Sequence, residues 1–473
     1  MTADATTRDR IDLAGQWQLA FDPDGEGARN GWTHGSWPDD RTNHVQVPSL
    51  WNLTHPDAEG AGYYRTVVDL PDRWAGQIVR LHVGGASYRT EAWLNGHFVG
   101  SHEGAYTAFR FDVTAAARPG ASNELVLRVT SLSRTRLVDG MALKAMPVSK
   151  QSWYYAEGGL WGDVWFEAVP PLSCQSITVE PDLRQEAARI EVRVANAASE
   201  SRHVELALTV TGPRGEEAAG WREPVAVPPG TSGHLVEVKL PRPLAWSCEE
   251  PNLYRVRAAL IEGARAVDEL TANFGMRDFT VRDGRFFLND NPVYLRGVLL
   301  QPNYPVGLIA PHDPGMIERE ILLAKEAGFN LIRVHIRPSV PGYFDLTDRH
   351  GMLVYAESSL CWIQDTPRLL DHGRREITAM IERDRNHPSV VFWGIFNEHR
   401  APAARYADAL IRTARSLDPT RVIVDNSGGT LAMDQDYGWA DRATAVPNRE
   451  TTRVPLHDIH LYIGAPVTRA ACD

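Results

Sequence analysis

The stretch Val390-Val-Phe-Trp-Gly-Ile-Phe-Asn397-Glu398-His399 is a continuous apolar run that ends abruptly in an amide and a carboxyl side chain. Arg385-Asn-His-Pro388 precedes the run, and an Ala- and Arg-rich pattern with helical spacing follows it. An apolar run of this length in this setting predicts a buried parallel strand within an α/β layer. The chemistry of such layers takes place at the carboxyl ends of the strands, where Asn397 and Glu398 fall.

The Asn397-Glu398 pair has two interpretations. In the first, the amide hydrogen-bonds a sugar hydroxyl and the carboxyl gives a proton to a glycosidic oxygen. In the second, Glu398 only caps the helix that follows, because an acidic side chain is favourable at a helix N-terminus. The dipeptide alone does not decide between the two.

The composition indicates an ordinary globular protein of several domains. The chain has 473 residues, more than one hydrophobic core usually supports, and no apolar run reaches the ~18 residues of a membrane span. Its first ten residues contain no apolar signal segment, so we expect a cytoplasmic protein outside the membrane. The net charge of -11 disfavours nucleic acid as a partner, because a surface of this sign repels phosphates.

The four cysteines are widely spaced and match no metal or redox motif. They are Cys174, Cys248, Cys361 and Cys472. We expect free thiols, since Cys174 and Cys248 fall in one predicted domain but would pair only in an oxidising compartment. The sequence predicts no cofactor and no metal site.

Two β domains come first along the chain. Short strands broken by turn residues, such as Gln16–Phe21 and Ile78–Val83, predict an antiparallel β-sandwich over residues 1–171. Further strands between residues 172 and 275, such as Val204–Val210, match a small immunoglobulin-like sandwich.

Strands alternate with helical patterns from residue 276 to residue 473. The predicted strands are Val293–Leu300, Asn330–His335, Met352–Ala356, the strand that ends in Asn397-Glu398, Arg421–Asp425 and Asp458–Tyr462. Successive β/α units predict a (β/α)8 barrel. The span is shorter than the roughly 250 residues that such a barrel takes, so we expect strands seven and eight to be missing.

Motifs along almost the whole chain occur in an order that makes coincidence improbable. They are Leu13-Ala-Gly-Gln-Trp17, Gly62-Tyr-Tyr-Arg65, Glu91-Ala-Trp-Leu-Asn-Gly96, Gly158-Gly-Leu-Trp-Gly-Asp-Val-Trp165, Pro251-Asn-Leu-Tyr254, Phe274-Gly-Met-Arg277, Leu288-Asn-Asp-Asn-Pro-Val-Tyr-Leu-Arg-Gly297 and Asp384-Arg-Asn-His-Pro388 before Asn397-Glu398. Together they resemble glycoside hydrolase family 2, which includes β-galactosidases, β-glucuronidases and β-mannosidases. The resemblance implies a jelly-roll domain, an immunoglobulin-like domain and a catalytic TIM barrel. The strand count predicts that this barrel ends after strand six in the present chain.

The resemblance also implies a retaining hydrolysis of a β-linked non-reducing-end sugar. Glu398 would protonate the leaving oxygen and then activate water as a carboxylate, and Asn397 would hold the sugar 2-hydroxyl. In the family the nucleophile ends strand seven, and no residue of this chain takes that place. Neither Glu357 nor Glu450 is a credible substitute, so we expect this chain alone to be inactive.

Strand two carries further candidates for the site. Arg333 and His335 alternate and therefore share one face. Family members place Ser-His-Tyr-Pro after this arginine, whereas here Val-His-Ile-Arg-Pro follows, and this departure leaves the role of the histidine open. Arg333 is either a substrate contact or part of a structural ion pair, and His335 is either a substrate contact or a satisfied core histidine. Arg337 is a further candidate cation for a sugar subsite.

Strands three and six complete the predicted set. Glu357 resembles an acidic position that supports the catalytic centre in relatives, and a buried pairing with Arg333 is an equally good interpretation. His460 and Tyr462 alternate on strand six, where related enzymes place a tyrosine that hydrogen-bonds the nucleophile.

One loop departs from the pattern of the family. In several relatives, a jelly-roll loop inserts an acidic side chain into the sugar pocket shortly before the Gly-Gly-Leu-Trp run. Here Lys150-Gln-Ser-Trp-Tyr-Tyr155 contains no carboxylate, and the first one is Glu157. This departure argues against a simple β-galactosidase.

Two functions from different classes therefore fit the sequence. The first is a retaining β-glycosidase that acts on a carbohydrate substrate. The alternative is a non-catalytic carbohydrate-binding or scaffold protein with a degenerate barrel. The intact Asn397-Glu398 pair favours the first, because a binding protein needs no proton donor there. The two sandwich domains offer surfaces for a homo-oligomer.

Overall fold

The computed structural model describes residues 8–399, 404–428, 458 and 460. Within these residues the chain forms three successive parts, two of antiparallel strands and one in which parallel strands alternate with helices. None of the helices in this part of the chain is long and apolar enough to cross a membrane.

The first part is the antiparallel β-sandwich that the sequence predicts. Its strands are β1 (Asp9–Asp12), β2 (Gly15–Asp22), β3 (Thr42–Val47), β4 (Ser49–Leu50), β5 (Ala61–Asp69), β6 (Ile78–Val83), β7 (Ala86–Ser87), β8 (Arg89–Leu94), β9 (His97–Glu103), β10 (Phe109–Asp112), β11 (Ser122–Thr130), β12 (Gly159–Leu160) and β13 (Val164–Val169). The large sheets have the orders β3-β2-β5-β11-β8-β9 and β1-β13-β6-β10. Leu19 and Leu127 from one sheet meet Leu81 and Phe166 from the other in one buried core.

The second part is a smaller sandwich of two sheets. Its strands are β14 (Leu172–Asp182), β15 (Ala187–Asn196), β16 (Arg202–Thr211), β17 (Glu217–Val227), β18 (Gly230–Lys239), β19 (Tyr254–Glu262) and β20 (Arg265–Phe274). They form the sheets β14-β15-β18 and β17-β16-β19-β20. Alternate residues of β16 are buried between the sheets, as expected for a strand with one face in the core. Cys174 and Cys248 are buried free thiols, as predicted.

The third part begins with a small three-stranded antiparallel sheet and continues with β/α units. Its elements are β21 (Phe279–Arg282), β22 (Arg285–Leu288), β23 (Asn291–Val293), β24 (Gly297–Leu300), α1 (Gly315–Glu326), β25 (Leu331–Val334), α2 (Tyr343–His350), β26 (Leu353–Cys361), α3 (Leu369–Asp384), β27 (Val390–Asn397), α4 (Ala404–Leu417) and β28 (Val422–Ser427). The parallel sheet has the order β24-β25-β26-β27-β28, so each helix returns the chain to the neighbouring strand. This is the β/α repeat that the sequence predicts.

Three predicted strand boundaries are wrong. Strand five was expected to end at Asp425, but β28 continues to Ser427. Strand one was expected from Val293, but Asn291–Val293 pairs antiparallel with β22, and the parallel strand begins only at Gly297. Strand three was expected to end near Ala356, but β26 continues to Cys361 with all nine residues buried. Of predicted strand six, Asp458 and His460 are described, whereas Tyr462 lies outside the described residues.

Residues just before β27 fix the position of this strand. The Arg277 guanidinium, which is 5% exposed, donates to the backbone carbonyls of Pro388 and Val390 at 3.0 and 2.8 Å. The carboxylate of Asp348 on α2 accepts hydrogen bonds from the Ser389 N–H and from His387. The apolar strand therefore starts among polar groups that come from the segment just after the second sandwich and from helix α2.

Helix α3 packs closely against the sheet and against α4. Gly373 lies where a Cβ atom would come within 2.9 Å of Leu410 on α4, so a larger residue would push the helices apart. Glu376, on the same buried face, accepts a hydrogen bond from the Ser359 hydroxyl on β26. Burial raises the pKa of Glu376 to about 7, because the apolar surroundings disfavour the charged form.

We expect Glu376 to make the protein less stable as the pH rises. In the unfolded chain this carboxyl ionises near its ordinary pKa of 4.5, whereas in the folded protein it stays protonated up to about 7. Stability is then greatest below the unfolded pKa and falls as the pH rises between these two values. The wild type should lose more free energy of unfolding between pH 5 and pH 8 than Glu376→Gln does, and the difference should be on the order of 1–3 kcal/mol. Urea denaturation at each pH measures it.

The matched control is Glu382→Gln, which changes an exposed glutamate on the same helix. This variant should keep the pH dependence of the wild type. An unchanged pH dependence in Glu376→Gln would contradict the assignment of a buried, protonated carboxyl.

Candidate active site

Asn397 and Glu398 lie at the carboxyl end of the central parallel strands. Asn397 ends β27 and is in register with Cys361 of β26 and Ser427 of β28. The next residue, Glu398, has a φ of 47°, and its backbone N–H donates to the Ser427 carbonyl at 2.7 Å. A left-handed conformation is unfavourable for a residue with a Cβ, and residues held in this way are concentrated at functional sites. The chain therefore bends where the carboxyl side chain leaves the sheet.

A buried ion pair lies beside this bend. The Nη2 atom of Arg333 is 2.7 Å from Oε1 of Glu357, and Nδ1 of His335 is 2.9 Å from Oε2 of the same carboxylate. The Glu357 side chain is 2% exposed, so both of its oxygens are satisfied within the protein. Burial alone would lower the pKa of Arg333, but the adjacent carboxylate more than offsets this effect and leaves the pKa raised. Arg333 and Glu357 are therefore held as a charged pair.

His460 connects this pair to Glu398. Its Nε2 atom lies 3.2 Å from Nη1 of Arg333, and its Nδ1 atom lies 2.7 Å from Oε1 of Glu398. A guanidinium only donates hydrogen bonds, so we assign Nε2 as the acceptor and place the proton on Nδ1. His460 then donates to Glu398, and the Ser427 hydroxyl supports the ring at 2.9 Å from Nε2.

Hydrogen bonds to both polar atoms of the Asn397 amide fix its orientation. Its Oδ1 atom accepts from Arg333 at 2.6 Å, and its Nδ2 atom donates to the sulfur of Cys361 at 3.6 Å. Burial raises the pKa of Cys361 to about 12, which keeps it a neutral thiol. Since arginine cannot accept, the two ends of the amide cannot exchange places. The amide N–H group is therefore fixed in one direction.

The structure brings most of the predicted site residues together. Arg333, His335, Glu357, Asn397, Glu398 and His460 form one connected set of hydrogen bonds. The Glu398 carboxyl thus has a partner at the site, which the helix-cap interpretation did not foresee. Arg337 is 1% exposed and donates to the backbone carbonyls of Pro302 and Ile309, so it is a structural cation and not a subsite residue.

Sequence reasoning missed Cys361, Ser427 and Tyr355. Cys361 and Ser427 would follow from the pairing register of Asn397, had the ends of strands three and five been placed correctly. The ring centroid of Tyr355 lies 5.1 Å from the Arg333 guanidinium carbon, so the ring makes a cation–π contact with the guanidinium group. Among residues 8–399, 404–428, 458 and 460, no three His, Cys, Asp or Glu side chains converge to hold a metal ion.

Three family models match the chain in succession. A sugar binding domain of glycosyl hydrolases family 2 matches residues 11–170, a further family 2 domain matches residues 173–277, and the TIM barrel domain of the family matches residues 279–448. The matches cover the three parts of the structure in the same order.

The curated relatives are longer than this chain. Two proteins of Enterobacter cloacae, named β-galactosidase 2 and β-galactosidase, are 27% and 28% identical over 98% of the chain. The chain spans about half the length of these relatives, 47% in each case.

Solved structures share the fold. A β-glucuronidase from Ruminococcus gnavus in complex with D-glucuronic acid has a TM-score of 0.75 at 23% identity, over 88% of this chain and 72% of that one. A β-glucuronidase from Bacteroides uniformis has a TM-score of 0.76 at 26% identity, over 88% of this chain and 52% of that one.

The buried pair predicts strong coupling between Arg333 and Glu357. Arg333→Met leaves a carboxylate that is 2% exposed without its main counter-charge, and Glu357→Gln leaves the guanidinium without its own. Each single change should lower the free energy of unfolding by about 3–5 kcal/mol, and the double variant should lose clearly less than the sum. Urea denaturation of all four proteins closes this double-mutant cycle.

The control cycle uses Arg257→Met and Glu269→Gln in the second sandwich, where the same two residue types pair at 2.6 Å with side chains 45% and 25% exposed. Its coupling should stay below about 1 kcal/mol, because solvent screens the pair. Equal coupling in both cycles would contradict the proposed importance of the buried pair.

Proposed function

Because the chain belongs to glycosyl hydrolase family 2, we propose that it acts as a β-glycosidase that retains the anomeric configuration. The observation that carries the proposal is the Glu398 carboxyl at the carboxyl end of β27, 2.7 Å from His460 and adjacent to the fixed Asn397 amide. The relatives named β-galactosidase and the solved structures named β-glucuronidase support a β-linked sugar as substrate. They differ in which sugar they name.

Glu398 is the proposed general acid and base. As an acid it would protonate the leaving oxygen, and as a carboxylate it would accept a proton from the water that releases the sugar. The Nδ1–H group of His460 stabilises the carboxylate form, which arises when the proton has left. His460 is thus proposed to position Glu398 and to help it cycle between its two protonation states.

Asn397 is the proposed contact to the 2-hydroxyl of the sugar. Its amide is held by Arg333 and Cys361, so its free N–H would meet the substrate without reorganising. Arg333, Glu357 and His335 act through this amide and through His460. We therefore propose them as positioning residues, which hold the catalytic groups within a fraction of an ångström.

A retaining mechanism needs a second carboxylate as nucleophile, about 5 Å from the acid. Of the described carboxylates at the site, Glu357 has both oxygens engaged by Arg333 and His335. A nucleophile must face the anomeric carbon, so we do not assign Glu357 to that role. The described residues supply the acid/base half of the proposed mechanism.

We expect the purified 473-residue chain to show no turnover of 4-nitrophenyl β-glycosides. The physical reason is that Glu357, the carboxylate beside Arg333 and His335, has both oxygens engaged and is not placed to attack the anomeric carbon. Release of nitrophenol from a panel of glycosides is the measurement, with a mock preparation from cells that lack the protein as the control for adventitious hydrolase. Turnover by the chain above that of the mock preparation would mean that a residue of this chain serves as nucleophile.

In any form of the protein that turns over glycosides, Glu398→Gln should discriminate between leaving groups. For alkyl glycosides kcat/KM should fall about 10²–10⁴-fold, because their leaving oxygen requires a proton. For 2,4-dinitrophenyl glycosides, whose leaving group departs as an anion, the loss should be far smaller.

Glu382→Gln is the matched control and should leave both substrates unaffected, since this glutamate is exposed on α3. Equal losses on both substrates in Glu398→Gln would remove Glu398 from the role of general acid.

A further inference from the structure

A segment of the first domain reaches the carboxyl end of the parallel sheet. Val148 forms a parallel bridge with Leu360 of β26, and the Lys144 carbonyl accepts a hydrogen bond from the Gln364 N–H at 2.6 Å. These two main-chain links hold the segment on the side of the sheet where Asn397 and Glu398 lie. The short 3-10 helix Lys150–Trp153 follows directly.

This attachment places a cation near the site. The Nζ atom of Lys150 lies 5.0 Å from the centroid of the Trp362 ring. Trp362 follows Cys361, the residue whose sulfur accepts from the Asn397 amide. Lys150 is half-buried, so its side chain is partly restrained by neighbouring residues and still partly accessible to solvent. Lys150 is thus linked to Asn397 through the Trp362 ring, the backbone between Trp362 and Cys361, and the Cys361 sulfur.

Acidic groups dominate the surroundings of Lys150 at the carboxyl end of the sheet. Glu398 and Asp458 place acidic groups at the carboxyl end of the sheet, in a protein of net charge -11. The charge of Arg333 is matched by Glu357, and Arg337 is buried against backbone carbonyls. A substrate that carried its own negative charge would be repelled here unless a cation received it.

The ammonium of Lys150 can receive such a charge. A cation–π contact engages one side of an ammonium group, which has several N–H donors directed elsewhere. An oxyanion could therefore bind while the Lys150 side chain keeps its contact with Trp362. The aromatic ring would also restrict the flexible lysine stem and so reduce the entropy lost on binding.

We propose that Lys150 is a specificity-determining residue that selects β-glycosides carrying an oxyanion on the sugar or on the aglycone, an inference that rests on the proposed β-glycosidase function. The first domain thereby contributes to substrate choice, and the barrel contributes the acid/base group.

The test compares two ligands that differ at one position of the sugar. Methyl β-D-glucuronide carries a carboxylate where methyl β-D-glucoside carries a hydroxymethyl group. Titration calorimetry on the full chain gives the dissociation constant of each, for the wild type and for Lys150→Met, which keeps the apolar stem. The glucuronide should bind the wild type more tightly, and Lys150→Met should weaken it about 10-fold or more, the range of a charge-assisted hydrogen bond.

Three controls make the result specific. Binding of the glucoside should not change in Lys150→Met, and Lys150→Arg should retain the preference for the anion. Lys239→Met removes the same charge from the exposed end of β18 and should change nothing. The pair of phenyl and 4-carboxyphenyl β-glucoside distinguishes an anion on the aglycone from one on the sugar.

The outcomes separate the inference from the function on which it rests. If Lys150→Met leaves the preference for both anionic ligands intact, or weakens anionic and neutral ligands equally, the inference is wrong and the proposed function stands. If the wild-type chain binds none of the four glycosides, the proposed function fails together with the inference.

Discussion

The position of the candidate site depends on the buried guanidinium of Arg277. It donates to two carbonyls at the start of β27, and burial lowers its pKa to about 9. These bonds fix the register of the strand at its amino end. A shift of one residue would turn every side chain of β27 to the opposite face, so the bonds at the amino end of the strand decide where Asn397 and Glu398 emerge at the other end.

The polar network at the other end of the strand is costly to bury and is therefore almost fully satisfied. Glu357, Arg333, His460 and Glu398 form a chain of alternating acceptors and donors that crosses the parallel sheet. Each member limits the orientation and the protonation state of the next. Such a network adds little net stability, since desolvation offsets the attraction between charges, but it specifies one arrangement of the groups proposed to act on the substrate.

The sequence was sufficient to predict the order of the three parts and the strand that ends in Asn397. A continuous apolar run of this length is typical of a buried parallel strand, and β27 is buried at every position. It was insufficient where polar residues are buried. Ser358 and Ser359 are polar, and polar residues usually indicate the end of a buried strand near Ala356. Their hydroxyls instead donate to the Ile395 carbonyl and to the Glu376 carboxyl, so both serines are buried within β26. The proximity of Lys150 to Trp362 was not predictable either, since only the docking of two domains brings these residues together.

The bridge between Val148 and Leu360 also bears on how the protein is made. Residues near Val148 leave the ribosome long before β26 does, and domains generally fold in the order of their synthesis. The first domain is then already in place as a template when the carboxyl end of β26 forms. The first sandwich thus forms before the strand ends that carry the site. A substitution that destabilises the first sandwich would therefore also impair folding of the barrel, although it changes no barrel residue.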